Sequence, residues 1–464
     1  MRRLLAMAAA AALIGGPALA GDPLRAGADA ARDQALTDPT AFKVVESLST
    51  EVGPRLAGSE AAARARDWGV AKLKALGFSN VHVEPFPITA WARGPEQATL
   101  TAPYPANLAI IGLGGSVPTP PEGIEGEVVV FHAYADLLAA APGSLTGKIA
   151  VVTEGMTRTQ DGSGYGAANP LRRAGASEVA RRGAVAYLVR SLATGVSREP
   201  HTGALNYAAD APKIPAAALS VIDAQWLDRL ALRGTPMRIR LNLASSTAPA
   251  TGWTVVGEIP GTEHPEQVIL IGGHLDSWDP GTGSIDDGAG IAIAVGAAHG
   301  FVAHPLKRTI RVVMFGAEEM NFTNAAFTAA HVAEVPNLVA IGEIDSGADN
   351  VWSLQLPAGT ADLPQMRVLA ASLAPLNIYV SPEPLRFGGS DIVGLAHAGA
   401  PEVDLRQDAS RYFDWHHSSE DTLDKIDPVQ LNQNVAAWAA LLYVVGDSDV
   451  SLRPAADAAK PAKP

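Results

Sequence analysis

Five short runs of the 464-residue sequence concentrate histidine and carboxylate in patterns that could bind cations or move protons. Gly272-Gly273-His274-Leu275-Asp276 follows an apolar run. With a strand's period of two, His274 and Asp276 can point to one side. A metal-binding imidazole needs its second ring nitrogen fixed by an acceptor, and Asp276 is placed for that. A lone His-x-Asp is more often a capping Asp beside a surface His, so this run carries little by itself. Ser284-Ile285-Asp286-Asp287-Gly288 opens a helical pattern, where a carboxylate could bridge two cations or simply cap the helix. Gly316-Ala317-Glu318-Glu319 ends the most apolar run of the chain, Val312-Val313-Met314-Phe315. Adjacent carboxylates repel unless cations are near, and one could ligate while its neighbour acts as general base. Glu343-Ile344-Asp345-Ser346-Gly347 again closes a strand-like run. Trp415-His416-His417-Ser418-Ser419-Glu420-Asp421-Thr422 adds two imidazoles, with Asp421 placed to orient His417 or to cap the next helix.

Taken together the runs are more specific. Three of them close strand-like segments expected to lie parallel, and ligands collect outside the carboxyl ends of such strands. Two His, one bridging carboxylate, two further carboxylates and one free Glu match the inventory of a two-metal hydrolase. The sequence has no cysteine, which excludes a thiolate nucleophile, disulfides and Cys-ligated metal. Any metal site must use His, Asp and Glu, which suits Zn²⁺, with Mn²⁺ or Co²⁺ as substitutes.

The elements that must position these residues are legible in outline. Val268–Ile271, Ile310–Phe315 and Leu338–Ile341 are near-continuous apolar runs, as in strands covered on both faces. Residues 288–301 and 430–445 read as buried helices. Residues 38–76 read as helical, with Gly77 as a stop, and 81–86 as a half-buried strand. Pro and Gly thicken between 103 and 126, marking a boundary. Beyond it, 128–131, 149–152, 185–189 and 239–241 are short strand candidates, with a helix over 177–182. That middle segment has no His or carboxylate cluster and reads as an α+β module rather than a chemical centre. Arg2 and Arg3, the apolar run 4–14 and Ala18-Leu19-Ala20 form a signal peptide over 1–20, which makes the protein exported, periplasmic or secreted. No other segment reaches the roughly 18 uninterrupted apolar residues of a membrane span. The net charge of −13 disfavours a nucleic-acid partner.

As a set, His274-Leu275-Asp276-Ser277-Trp278-Asp279, Asp286-Asp287-Gly288, Glu318-Glu319, Glu343-Ile344-Asp345-Ser346-Gly347 and His416-His417-Ser418 resemble the co-catalytic dizinc aminopeptidase family, in particular its carboxypeptidase Q (plasma glutamate carboxypeptidase) branch. Gly53-Pro54-Arg55-Leu56-Ala57-Gly58-Ser59 and Val81-His82-Val83-Glu84-Pro85 extend the likeness, and the middle segment resembles the protease-associated insert domain of these enzymes. The resemblance implies an α/β fold, a mostly parallel mixed sheet flanked by helices, with that insert. Its divisions would be the signal at 1–20, an N-terminal part of the catalytic domain at 21–110, the insert at 111–248, the dizinc catalytic domain at 249–447 and a disordered tail at 448–464.

It further implies two Zn²⁺ ions, one held by His274, Asp286 and Asp345 and the other by Asp286, Glu319 and His417. Asp276 would orient His274, Glu318 would be the general base acting on a metal-bridging water, and Asp287 would follow a cis peptide bond. His416 stands where some relatives carry an oxyanion-supporting Tyr. Gly388-Gly389-Ser390-Asp391 would form a substrate loop, and Arg386 would meet a substrate carboxylate. The implied activity is hydrolysis of dipeptides or removal of N-terminal residues from short peptides, by a homodimer. Glutaminyl cyclase-like chemistry by a single-zinc relative is the competing enzyme reading, and the full ligand set argues against it. A non-catalytic binding protein on the same fold would show missing ligands.

Overall fold

The computed structural model describes residues 21–385 and 388–453; the signal peptide expected at 1–20, Arg386 and residues 454–464 lie outside the described residues. The chain opens with α1 (Pro23–Ala35), α2 (Thr40–Ser47) and α3 (Glu60–Ala75). The helical stretch expected over 38–76 is broken in the middle. Gly53 takes φ +73°, a left-handed conformation that suits glycine, and Ser59 Oγ then caps α3 by accepting from Ala62 N at 3.1 Å.

β1 (Ser79–Ala102) is far longer than the expected strand at 81–86. β2 (Ala106–Leu108), β3 (Ile110–Gly112), β4 (Ile124–Phe131), α4 (Tyr134–Ala139), β5 (Ile149–Val152), α5 (Ser163–Arg181), β6 (Ala186–Arg190), β7 (Ala216–Leu219), α6 (Val221–Leu232) and β8 (Arg238–Ile259) follow. Then come β9 (His264–His274), α7 (Ala289–His299), β10 (Arg308–Phe315), α8 (Thr323–His331), β11 (Leu338–Glu343), β12 (Val351–Gln355), α9 (Pro364–Leu373), β13 (Tyr379–Val380), α10 (Val393–His397), β14 (Asp404–Gln407) and α11 (Pro428–Gly446).

One 11-stranded sheet runs in the order β11-β9-β10-β8-β4-β5-β6-β7-β3, with β1 paired to β8 and β2 to β1. It is evenly mixed rather than mostly parallel, because the long antiparallel β1/β8 ribbon occupies its middle. The amino-terminal part of β8 pairs with β4 and its carboxyl-terminal part with β10. A single strand of 22 residues therefore carries the sheet from one half of the molecule to the other. β3 and β8 run across the divisions expected at 110/111 and 248/249, so the sheet is continuous through both.

Both halves of the sheet are covered on both faces, and the side chains alternate accordingly. In β5, Ile149 and Val151 enter the core that includes Leu227 of α6, whereas Ala150 and Val152 enter the core that includes Val179 of α5. In β9, Ile269 and Ile271 meet α7 and α11, while Val268 and Leu270 meet Phe327 of α8 and Leu395 of α10. This double coverage is why the strands read as unbroken apolar runs. The expected tail is packed as far as Arg453: Val450 and Leu452 are buried, and Arg308 Nη1 donates to Val450 O at 2.9 Å. Among the described residues no helix is long and apolar enough to cross a membrane.

Candidate metal centre

β9, β10 and β11 are parallel neighbours, with Phe315 in register with His274 and Glu343 with Gly272. Their carboxyl ends therefore share one edge, and the chemistry-bearing runs leave from it. His274, Glu319, Asp286 and His417 come together there, buried, with Asp345 beside them and half-buried. Asp286 Oδ1 lies 2.9 Å from His274 Nε2, and Asp286 Oδ2 lies 3.2 Å from His417 Nε2. His274 Nε2 is 3.6 Å from Asp345 Oδ1, and His417 Nε2 is 3.0 Å from Glu319 Oε2. Among the described residues two groups of donor atoms are close enough to hold a cation each: His274, Asp286 and Asp345, and Asp286, His416 and His417. Asp286 belongs to both.

Local structure fixes each donor. The Asp286–Asp287 peptide bond is cis. Asp287 is spent on the backbone: its Oδ2 accepts from His274 N and its Oδ1 from Gly290 N, each at 2.9 Å. Gly290 lets α7 approach β11, since a Cβ there would stand 1.9 Å from Ile344 O. Asp276 holds His274 mainly through its carbonyl, which accepts from His274 Nδ1 at 2.9 Å, while its Oδ1 is 3.7 Å away. The Asp276 carboxylate instead accepts from the amides of Glu318 (3.0 Å) and Glu319 (3.3 Å), and so places both glutamates. Asp421 neither orients His417 nor caps a following helix. Its Oδ1 accepts from Ser284 N and Ile285 N, both at 2.7 Å, just before Asp286. Arg55 is fully buried and donates to the carbonyls of Leu275 (2.5 Å), Thr282 (2.6 Å) and Gly283 (2.8 Å), which pins the loop between β9 and α7.

The charge balance of this cluster asks for cations. Burial pushes the Glu319 carboxyl up to about 8, against the pull of His417, and Asp345 up to about 6, against that of His274. Burial opposes charge on His274, but Asp345 and Asp286 outweigh it and raise the imidazole well above its usual value. His417 is raised in the same way by Glu319 and Asp286. Buried carboxylates must be neutralised by protons or by metal ions. Asp286 Oδ2 and Glu319 Oε1 are buried with no hydrogen-bond donor, as oxygens meant for a cation would be. His, Asp and Glu side chains of this kind fit zinc or a similar divalent ion.

The centre opens into a cavity of about 410 Å³. Glu318 lines it, and its Oε1 accepts from Ser390 Oγ at 2.7 Å. Ser390 also approaches Glu343 Oε1 at 3.1 Å. Glu343 Oε2 accepts from the amides of Asp391 and Ile392, so this half-buried carboxylate shapes the 388–392 loop. Asp391 is 2% exposed and faces inward rather than into the cavity lining, and burial raises its carboxyl. The His416 ring lies parallel to that of His417, with centroids 3.4 Å apart.

Several lining residues carried no sequence signal. Tyr165, Arg172 and Arg173 belong to α5, in the segment without a His or carboxylate cluster. Arg172 is 3% exposed, and its Nη1 lies 3.4 Å from His417 Nδ1. Tyr412 Oη reaches Asp345 Oδ1 at 3.4 Å. The middle segment, read from sequence as an α+β module rather than a chemical centre, sends one of its helices over the centre through long-range packing.

Residues 254–442 match the family model described as Peptidase family M28. Carboxypeptidase Q of Bos taurus is 38% identical over 411 residues, covering 87% of this chain and 85% of that protein. A crystal structure of a peptidase M28 precursor from Shewanella amazonensis SB2B superposes with a TM-score of 0.90 at 39% identity, covering 93% of this chain and 98% of that one. A zinc aminopeptidase from Bacillus subtilis shares the fold, with a TM-score of 0.61 at 18% identity over 89% of this chain and 96% of its own.

Proposed function

Since the chain belongs to peptidase family M28 and is a metallopeptidase, we propose that it is a dizinc exopeptidase that cleaves dipeptides or removes N-terminal residues from short peptides. The observation that carries this reading is the position of Asp286, whose oxygens lie 2.9 Å from His274 Nε2 and 3.2 Å from His417 Nε2, with Glu319 Oε2 3.0 Å from the latter, at the edge where three parallel strands end. In this reading His274, Asp286 and Asp345 hold one ion, and Asp286, Glu319 and His417 hold the other. Bound there, two divalent cations supply Lewis-acid polarisation of the scissile carbonyl and acidify water.

Glu318 is the base. Its carboxylate is exposed to the cavity, its amide is tied to Asp276, and Ser390 Oγ donates to Oε1, leaving Oε2 for the attacking water. It takes a proton from that water and returns it to the departing amine. His416, stacked on His417, is a donor toward the carbonyl oxygen as charge builds on it. Residues 111–248 are read as a protease-associated insert and 1–20 as an export signal, a reading under which the reaction occurs in the periplasm or outside the cell.

Glu318→Gln keeps the size of the side chain and removes the base. The expected outcome is full metal content by elemental analysis and kcat on an unblocked dipeptide lowered about 10²–10⁴-fold. Turnover at the parent rate would show that another group moves the proton. Comparing unblocked dipeptides, end-blocked dipeptides and longer peptides by mass spectrometry tests the exopeptidase reading, which fails if internal bonds are cut as fast as terminal ones.

A further inference from the structure

His417 has an unusual backbone. Its φ is +62°, in the left-handed region that costs a non-glycine residue energy, and an imidazole is needed there. Such a conformation persists only where surrounding contacts over-determine it. The contacts come from the middle segment. His201 Nδ1 donates to His416 O at 2.6 Å. Thr202 N donates to His417 O at 2.9 Å. Thr202 O lies 3.3 Å and Arg172 Nη1 3.4 Å from His417 Nδ1, while Nε2 faces Asp286 and Glu319. One dipeptide thus grips both peptide carbonyls and the ring of another, 215 residues away.

The gripping dipeptide is itself anchored. His201 and Thr202 are 2% and 1% exposed. His201 N donates to Ser191 Oγ at 2.8 Å, just beyond β6, and Thr202 Oγ1 donates to Gly112 O at 2.8 Å, in β3. Arg93 of β1 reaches Thr202 Oγ1 at 3.2 Å while paired with Asp279 at 2.7 Å. The position of His417 therefore follows from how the β3–β7 half of the sheet is seated. His274, by comparison, takes its contacts from Asp276, Asp286, Asp287 and Asp345.

We propose that His201 and Thr202 are positioning residues that clamp His416-His417, so that the middle segment sets the affinity of the cation site built on His417 while leaving the His274 site alone. The proposal rests on the two-cation reading above. An acceptor that fixes the second nitrogen of a ligating histidine is a familiar need. Here the carbonyl nearest that nitrogen, and the donors that hold the strained backbone, come from outside the segment that supplies the ligands.

The test is zinc binding by the full chain, stripped of metal and titrated against a competing chromophoric chelator. The parent should bind two ions. In His201→Phe, which keeps the ring and loses the N–H, one of the two affinities should fall about 10-fold or more and the other should stay within about twofold. His201→Asn, whose amide N–H can reach the same carbonyl, should restore most of the loss. Unchanged affinities in His201→Phe overturn the clamp, and so does equal weakening of both sites, which would report general loosening. Should His201→Phe not fold, Ser191→Ala decides: removing the hydroxyl that holds His201 N should weaken the same single site about threefold, and no change overturns the proposal. Fewer than two ions in the parent would instead sink the two-cation reading, and the clamp with it.

Discussion

At the scale of single residues, Asp286 and Arg55 do opposite kinds of work. Asp286 offers one oxygen toward His274 and the other toward His417, and the second has no donor of its own. An ion that binds only the folded state stabilises it by about 4 kcal/mol at a thousandfold excess over its Kd. Zinc should therefore raise the Tm of the parent by several degrees, and the rise should be largely lost in Asp286→Asn, read by scanning calorimetry with and without the metal. Arg55 touches no ligand. Its guanidinium saturates carbonyls on both sides of the loop that leads to Asp286, and burial lowers its pKa while Asp421 and Asp276 support its charge. Arg55→Met would take the donor from the carbonyls of Leu275 and Thr282, at about 1–3 kcal/mol each, while Gly283 O keeps Gly288 N at 3.0 Å. The expected loss of about 3 kcal/mol or more should appear as a lower denaturation midpoint even in metal-free protein, which separates it from the effect at Asp286.

At the scale of elements, the end of α8 is joined to β1 by charge. His331 Nε2 is 2.9 Å from Glu84 Oε2, and its Nδ1 is 3.1 Å from Glu334 Oε1. Arg311 of β10 pairs with Glu334 at 2.6 Å, and His82 meets the other oxygen of Glu84 at 3.1 Å. Burial disfavours the charge on His331, but Glu84 and Glu334 outweigh it and the imidazole is raised. Burial is likewise overcome at Glu84 and Glu334, whose carboxyls are lowered by their basic partners. A raised histidine stabilises fully below its unfolded value of about 6.5, and that contribution is lost as pH rises through the folded value. The lowered carboxylates stabilise above about 4.3 and lose the contribution as pH falls through their folded values. The pairing is thus complete between about pH 5 and 6.5. His331→Gln should lower Tm more at pH 6 than at pH 9; an equal drop at both would mean that the imidazole contributes by packing alone.

The whole molecule is organised by its 11-stranded sheet, beside the smaller β13-β12-β14 sheet, and by the long strand β8 that passes through the larger one. On one side of β8 stand the strands whose ends carry His274, Glu318-Glu319 and Asp345, and on the other stands the segment that clamps His417. Strands buried on both faces announced themselves as apolar runs: β5 lies over 149–152, as expected from sequence. Ala216-Ala217-Ala218-Leu219 did not, because alanine favours no strand and the run is short, yet it is fully buried as β7. The extent of β1 and β8 was also hidden, since their outer stretches alternate irregularly once they leave the covered part of the sheet.

The metal-binding chemistry was local, and so it was readable: a His or a pair of carboxylates set at the end of an apolar run needs only strand period and strand direction to be placed at a common edge. Asp276 shows the limit. Its spacing from His274 pointed to the carboxylate as the orienting group, but the loop turns so that the carbonyl meets the ring and the carboxylate meets Glu318 and Glu319. Arg172, His201 and Thr202 show the rest. Nothing near them in the chain is chemically distinctive, and their partners His416 and His417 lie more than 200 residues away. By itself the sequence determined which donors exist and on which strand ends they sit, because those depend on neighbours a few residues apart. Only the tertiary structure decided which groups hold the donors in place, because burial and hydrogen bonding across the sheet act between residues that meet in space, whatever their separation along the chain.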